Sequence, residues 1–276
     1  MRIFECEWSQ TGRPLRPAGV QPSSLSSCAV ARTLPGGRRG DFFRPGGSVR
    51  EAYTRYPRPL LWLVPGGTVT VGGDEADARP RFTVEVEPFY LSKVPVTNEQ
   101  FEAFDPGYLR ADHAPEDDDP AVGVSYEDAA AYCRWYAEVS RKPMRLPTEV
   151  EWEHACRGGA SGRLYLEPPE TLDQHAWHAG NSDPRRLPRL RDKRYNPFGL
   201  YAMLGGVWEW TASLYRPYPL DDLGRPPEDA GEPSPRVLRG GSFRTPPEQL
   251  SCSLRRAADP RLALPDAGFR VAKSLR

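Results

Sequence analysis

The sequence predicts an α+β domain, loop-rich, with small antiparallel sheets and a few short helices. Three observations predict it. The 276 residues include 31 prolines and 25 glycines, and each proline removes a backbone donor and fixes φ, so elements must be short and loops many. Several runs alternate apolar and polar residues with the period of a strand. Three hydroxyl residues are each followed, three positions later, by an acid or amide side chain, the signature of a helix start.

Residues 1–57 are dominated by Gly, Pro, Ser and Arg, and no period of 2 or 3.6 persists; they read as an irregular N-terminal segment that precedes a domain over 58–276. Leu60 to Val64 is an apolar run that stops at Pro65-Gly66-Gly67, which predicts a buried strand and a turn. Thr68 to Val71 and Phe82 to Val86 alternate, with the polar loop Asp74 to Pro80 between them, which predicts a hairpin. Phe89 to Leu91 is the next strand candidate.

Thr97 with Gln100, Ser125 with Asp128, and Thr148 with Glu151 open three helices. In each box the hydroxyl accepts from the third helical amide and the acid or amide reaches back to the cap. Behind Ser125, the residues Ala129, Ala130, Cys133, Tyr136 and Ala137 form one apolar stripe, and Lys142-Pro143 ends it. The third helix stops at Gly158-Gly159, residues suited to a left-handed C-terminal cap. Beyond Gly159 the chain turns loop-rich, and the basic clusters at Arg185-Arg186 and 189–194 read as a solvated face. Trp208 and Trp210 stand two apart, so on a strand they share a face with Glu209 on the other. Gly240-Gly241 suits a strand that bends or meets another backbone closely.

The formal net charge is zero, with 27% charged and 11% aromatic residues. That balance describes a globular chain and gives no overall field for nucleic acid or a cationic partner. No stretch has the length needed to cross a bilayer. Glu5 and Glu7 interrupt the start, so no secretory signal is read, and the expected compartment is the cytoplasm or a phage particle. The 5 cysteines are too few for a disulfide framework and show no paired metal-ligand spacing. Lysine appears only at Lys93, Lys142, Lys193 and Lys273 against abundant Arg and Pro, a composition that suits a thermostable protein.

Six motifs then occur in a fixed order: Pro95 to Phe101; Arg145-Leu146-Pro147-Thr148-Glu149 with Glu151-Trp152-Glu153; Asn196 to Tyr201; Gly205 to Trp210; Arg239 to Phe243; and Gly268-Phe269-Arg270. Their order resembles the formylglycine-generating-enzyme (sulfatase-modifying factor) family from about Leu60 to Val271. The resemblance implies an elaborated C-type lectin fold.

The same resemblance implies chemistry that these residues do not carry. Aerobic members bind copper through two cysteines just after the Gly-Gly-Ser-aromatic motif, and Cu(I) prefers soft thiolates. Here that segment is Arg244 to Ser251, without cysteine, and Thr245 falls where the first ligand is expected. Cys252 resembles a structural cysteine whose partner is Cys156, so a Cys156–Cys252 disulfide is implied. Cys133 resembles another, with Val271 in its partner's place, and is expected as a buried free thiol. Gly205-Gly206 replaces the family's Gly-Asn, which removes an oxygen from a calcium site needing six or more. Sulfoxide synthases of the same fold bind iron through histidines; His113, His154, His175 and His178 show no matching arrangement. No catalytic residue, metal or cofactor is therefore expected.

The function that follows is a non-catalytic ligand-binding scaffold. Residues 239–270 resemble the variable region of diversity-generating-retroelement proteins, in which fixed framework residues alternate with unconstrained ones. The candidate binding positions are Arg244, Thr245, Pro246, Glu248, Gln249, Leu254, Arg256, Ala257, Ala258, Asp259, Leu262, Leu264 and Asp266. The expected partner is a macromolecule, a protein rather than a nucleic acid. The alternative is an oxidoreductase, like the formylglycine-generating or sulfoxide-synthase enzymes, with an unfamiliar metal site.

Overall fold

The computed structural model describes residues 56–166, 168–220, 224 and 234–275. Apart from Tyr56 and Pro57, the segment 1–57 read above as irregular lies outside the described residues.

Strands β1 (Leu61–Val64) and β4 (Phe89–Ser92) flank the hairpin β2 (Gly67–Val71) and β3 (Phe82–Val86). Helices α1 (Asn98–Glu102) and α2 (Tyr126–Ser140), strand β5 (Met144–Arg145) and helix α3 (Glu149–Arg157) follow, then the single-turn α4 (Leu172–His175). The C-terminal third supplies β6 (Trp208–Leu214), β7 (Arg236–Arg239), β8 (Arg255–Ala258), β9 (Ala267–Phe269) and β10 (Ala272–Ser274). Two four-stranded sheets result, in the orders β1-β4-β10-β5 and β8-β7-β6-β9, beside the two-stranded β2-β3. Every pair is antiparallel except β6 with β9, which run parallel.

The local signals hold where local chemistry decides. All three capping boxes form with both bonds present. The short Asp128 still reaches the Ser125 amide at 3.0 Å. Helix α3 ends on Gly158 at φ +57°, whose N–H reaches the His154 carbonyl at 3.2 Å. The hairpin forms in the register Gly67↔Val86 to Val71↔Phe82. On α2, Ala129, Cys133 and Tyr136 are buried as the stripe predicts, but Tyr132 and Ser140 are buried as well while Ala130 and Ala137 are half-exposed.

One strand departs from expectation. Among the described residues β1 pairs only with β4, and Trp62 and Leu63 are 44% and 46% exposed. An apolar run fixes the strand, but which sheet edge it occupies depends on residues far along the chain.

The core has two large parts. One packs α3 and the β2–β3 hairpin around Trp152, Met203 and Leu250. The other packs α1 and α2 on the β6–β9 sheet around Tyr132, Trp208, Trp210 and Phe269. Strand β6 joins them by alternation: Trp208 and Trp210 face the second, while Glu209 turns the other way to accept the Trp152 indole N–H at 2.7 Å.

Candidate functional site

The candidate face is built from the two segments that leave β7 and β8. After Arg239 the chain turns on Gly240 and Gly241, both left-handed at φ +94° and +76°. A side chain at Gly240 would place Cβ 3.0 Å from the Trp152 ring, and one at Gly241 only 2.6 Å from Leu250. Glycine alone satisfies both the backbone angle and the space. Ser242 then donates its hydroxyl to Asp266 at 2.7 Å, which ties the start of the first segment to the end of the second. The Ser242 amide in turn donates to Thr245 Oγ1 at 2.9 Å.

Downstream, Ser251 and Ser253 donate to the two oxygens of Glu75 at 2.6 and 2.8 Å. Burial raises the Glu75 pKa and is the largest single influence, but the Ser251 hydroxyl, the Glu75 amide, Ser253 and Arg163 together hold it below 4.5. The second segment crosses from β8 to β9 past the start of α2, where Gly123 and Glu127 donate to the carbonyls of Leu264 and Pro260. Asp259 is clamped by Arg261, whose guanidinium lowers its pKa to about 2.

The thirteen candidate positions divide on this frame. Arg244, Glu248, Gln249, Arg256, Ala257 and Leu262 turn to solvent, and Pro246 and Asp259 are half-exposed. The other five are not unconstrained. Thr245 is 7% exposed with its hydroxyl engaged, and Ala258 is buried in the second core. Leu254 and Leu264 pack on the core, and Asp266 holds Ser242. The sequence places these five among the unconstrained positions because a framework contact with a distant residue leaves no local pattern.

A network of the same long-range kind lies beneath the face. Glu149 and Glu153 on α3 meet Arg239 on β7, Arg255 on β8 and Arg157, with Glu149, Glu153, Arg239 and Arg255 side chains wholly buried. The distances are 2.7 Å for Arg239–Glu153, 2.9 Å for Arg255–Glu149 and 2.6 Å for Arg157–Glu153. Tyr218 donates to Glu149 at 3.1 Å and lies 2.8 Å from Arg239. Burial pushes the Glu149 carboxyl up, opposed by the two arginines. The legible signal is the spacing Glu149, Glu153, Arg157, which puts three charges on one helix stripe. On the other side of β6, Arg270 pairs with Glu209 at 2.8 Å and donates to the Ser92, Lys93 and Ala202 carbonyls.

The metals implied by resemblance do not fit these residues. No sulfur lies in 244–251, and the Thr245 hydroxyl serves the Ser242 amide. For calcium, the Gly206 position would set a Cβ 2.8 Å from Leu190, and Glu209 is taken by Arg270 and Trp152. The histidines have separate partners. His178 Nδ1 accepts from Gly180 at 3.1 Å, which leaves Nε2 to donate to Asp173 at 2.7 Å. His113 and His154 meet the carbonyls of Pro265 and Pro65, each at 2.8 Å. His175 closes α4 against the Tyr165 ring. Among the described residues no group of three or more His, Cys, Asp or Glu side chains could hold a metal ion.

Cys156, Cys252 and Cys133 are all buried free thiols. The expected disulfide partners do meet, since Cys156 contacts Cys252, but the structure holds them unbridged. Burial first, then that contact, raises the Cys156 thiol pKa well above its ordinary value.

Among the described residues no helix is long and apolar enough to cross a membrane. The formylglycine-generating enzyme of Streptomyces coelicolor is 29% identical over 301 residues, covering 83% of this chain and 92% of that protein. Inactive C-alpha-formylglycine-generating enzyme 2 of Mus musculus is 29% identical over 284 residues, covering 78% and 86%. The solved structure of Treponema denticola variable protein 1 superposes with a TM-score of 0.68 at 21% identity, over 78% of this chain and 94% of that one, a likeness of fold. Residues 48–275 match the Sulfatase-modifying factor enzyme 1-like domain, so the chain belongs to that family, with its C-type-lectin-like fold.

Proposed function

We propose that this chain is a non-catalytic ligand-binding scaffold. Its segment 239–270 displays a diversified binding face of the kind carried by variable proteins of diversity-generating retroelements. One observation carries the reading: six outward side chains, Arg244, Glu248, Gln249, Arg256, Ala257 and Leu262, stand on a backbone held by buried partners. Apart from the Arg244 bond to the Pro184 carbonyl, exchanging such side chains leaves the bonds that hold this backbone intact, so the face can change while the fold stays. The chemistry offered is mixed, with two guanidiniums, a carboxylate, an amide and small apolar groups, which suits a protein surface. The absence of sulfur from 244–251 supports the non-catalytic half of the reading.

Family membership favours a second reading, an oxidoreductase with an unfamiliar metal site. The two are separated by deep sequencing of codons 239–270 in a growing population of the source organism, together with metal analysis of purified protein. Changes confined to the outward positions, with Gly240, Gly241, Ser242 and Arg255 constant, are expected. A uniform sequence overturns the diversified face. Stoichiometric copper or iron after reconstitution overturns the scaffold.

A further inference from the structure

A second surface lies outside residues 239–270. Residues 183–194 carry six basic side chains against two acidic ones. Leu187 and Leu190, three apart, are both buried and pin the segment to the domain. Leu190 fills the space over Gly206, 2.8 Å from where a Cβ would stand. Any side chain at 206 would have to displace this anchor.

The backbone is fixed on both flanks. The Trp177 indole donates to the Arg189 carbonyl at 3.0 Å, and the Arg194 amide donates to the Gln174 carbonyl at 2.8 Å. Leu190–Asp192 forms a single 3₁₀ turn between them. Lys193 lies over the Trp177 ring at 3.7 Å. Arg186 is spent on Asp119 at 2.6 Å and Arg185 on Asp183 at 3.1 Å. Arg189, Arg191 and Arg194 remain exposed and make no ion pair with any described residue. Three unpaired guanidiniums held on one short stretch repel one another, with Asp192 offsetting part of that charge, and an incoming anion is favoured there.

We infer that the turn bearing Arg189, Arg191 and Arg194 docks an acidic polypeptide segment, as a fixed contact separate from the 239–270 face. A peptide suits it better than a nucleic acid. Exposed carboxylates stand within the same surface, at Asp173, Asp183 and Asp192. They would repel a continuous phosphate backbone, whereas discrete peptide carboxylates can sit between them.

The test is fluorescence anisotropy with a labelled twelve-residue peptide whose glutamates are spaced by glycine and serine, beside single- and double-stranded oligonucleotides of matched charge and a neutral peptide. The full chain is expected to bind the spaced acidic peptide in a salt-sensitive way. Arg189→Ala/Arg191→Ala/Arg194→Ala should weaken it about ten-fold, and Lys at the same three positions should restore part of the loss. Circular dichroism of each variant separates lost contact from lost fold. No binding, unchanged binding by the folded triple variant, or tighter binding of either oligonucleotide overturns the inference. Arg134→Ala, an exposed arginine on α2, should leave this binding intact, and deep sequencing of codons 239–270 reads the diversified face separately, so either proposal can fail without the other.

Discussion

Arg239 and Glu153 face each other at 2.7 Å with neither side chain reaching solvent. The pair joins β7, where the candidate face begins, to α3 in the first core. Arg239→Met should destabilise the domain by about 3–5 kcal/mol, because Glu153 and Glu149 stay buried with one guanidinium fewer. Urea unfolding of the variant measures this directly. A loss below about 1 kcal/mol would show that Arg157 and Arg255 suffice for both carboxylates.

Glu75 gives the face a pH dependence. Its carboxyl is held below 4.5 in the folded protein. The stabilisation is therefore fully present above pH 4.5 and is lost as pH falls through the lower folded value. Glu75→Gln should lose about 1–3 kcal/mol at neutral pH and flatten the acid limb of stability below pH 4.5. Equal acid limbs in both proteins would refute the linkage.

Gly206→Asn tests whether the missing oxygen was simply lost or displaced. The new Cβ would stand 2.8 Å from Leu190 at φ +71°. The substitution is expected to destabilise by about 1–3 kcal/mol without adding calcium-dependent stability. Paired with Leu190→Ala, it should cost less than the sum of the two single changes, since the contact is shared. Thermal melts with and without calcium supply the four corners of the cycle; additivity would place the obstacle elsewhere.

The thiols Cys133, Cys156 and Cys252 should resist alkylation in the native protein. Burial withholds both access and the thiolate, raising the pKa of Cys133 and Cys156. After unfolding without reductant all three should react, as read by mass spectrometry of their peptides. Persistent protection of Cys156 and Cys252 alone would reveal the bridge that family resemblance implies.

The sequence by itself determined what short-range chemistry decides. Thr97, Ser125 and Thr148 fixed three helix starts, Gly158 fixed a helix end, and the alternation of β2 and β3 fixed a hairpin, because each signal lies within a few residues of its effect. The order of motifs determined the family. Only the tertiary structure decided that β1 is an edge strand, that Thr245, Leu254, Ala258, Leu264 and Asp266 serve the framework, and that Leu190 stands over Gly206. Ser242 and Asp266 lie 24 positions apart, and Arg239 and Glu153 lie 86. Contacts over such separations follow from how whole elements pack, and a side chain's exposure is settled only when they do.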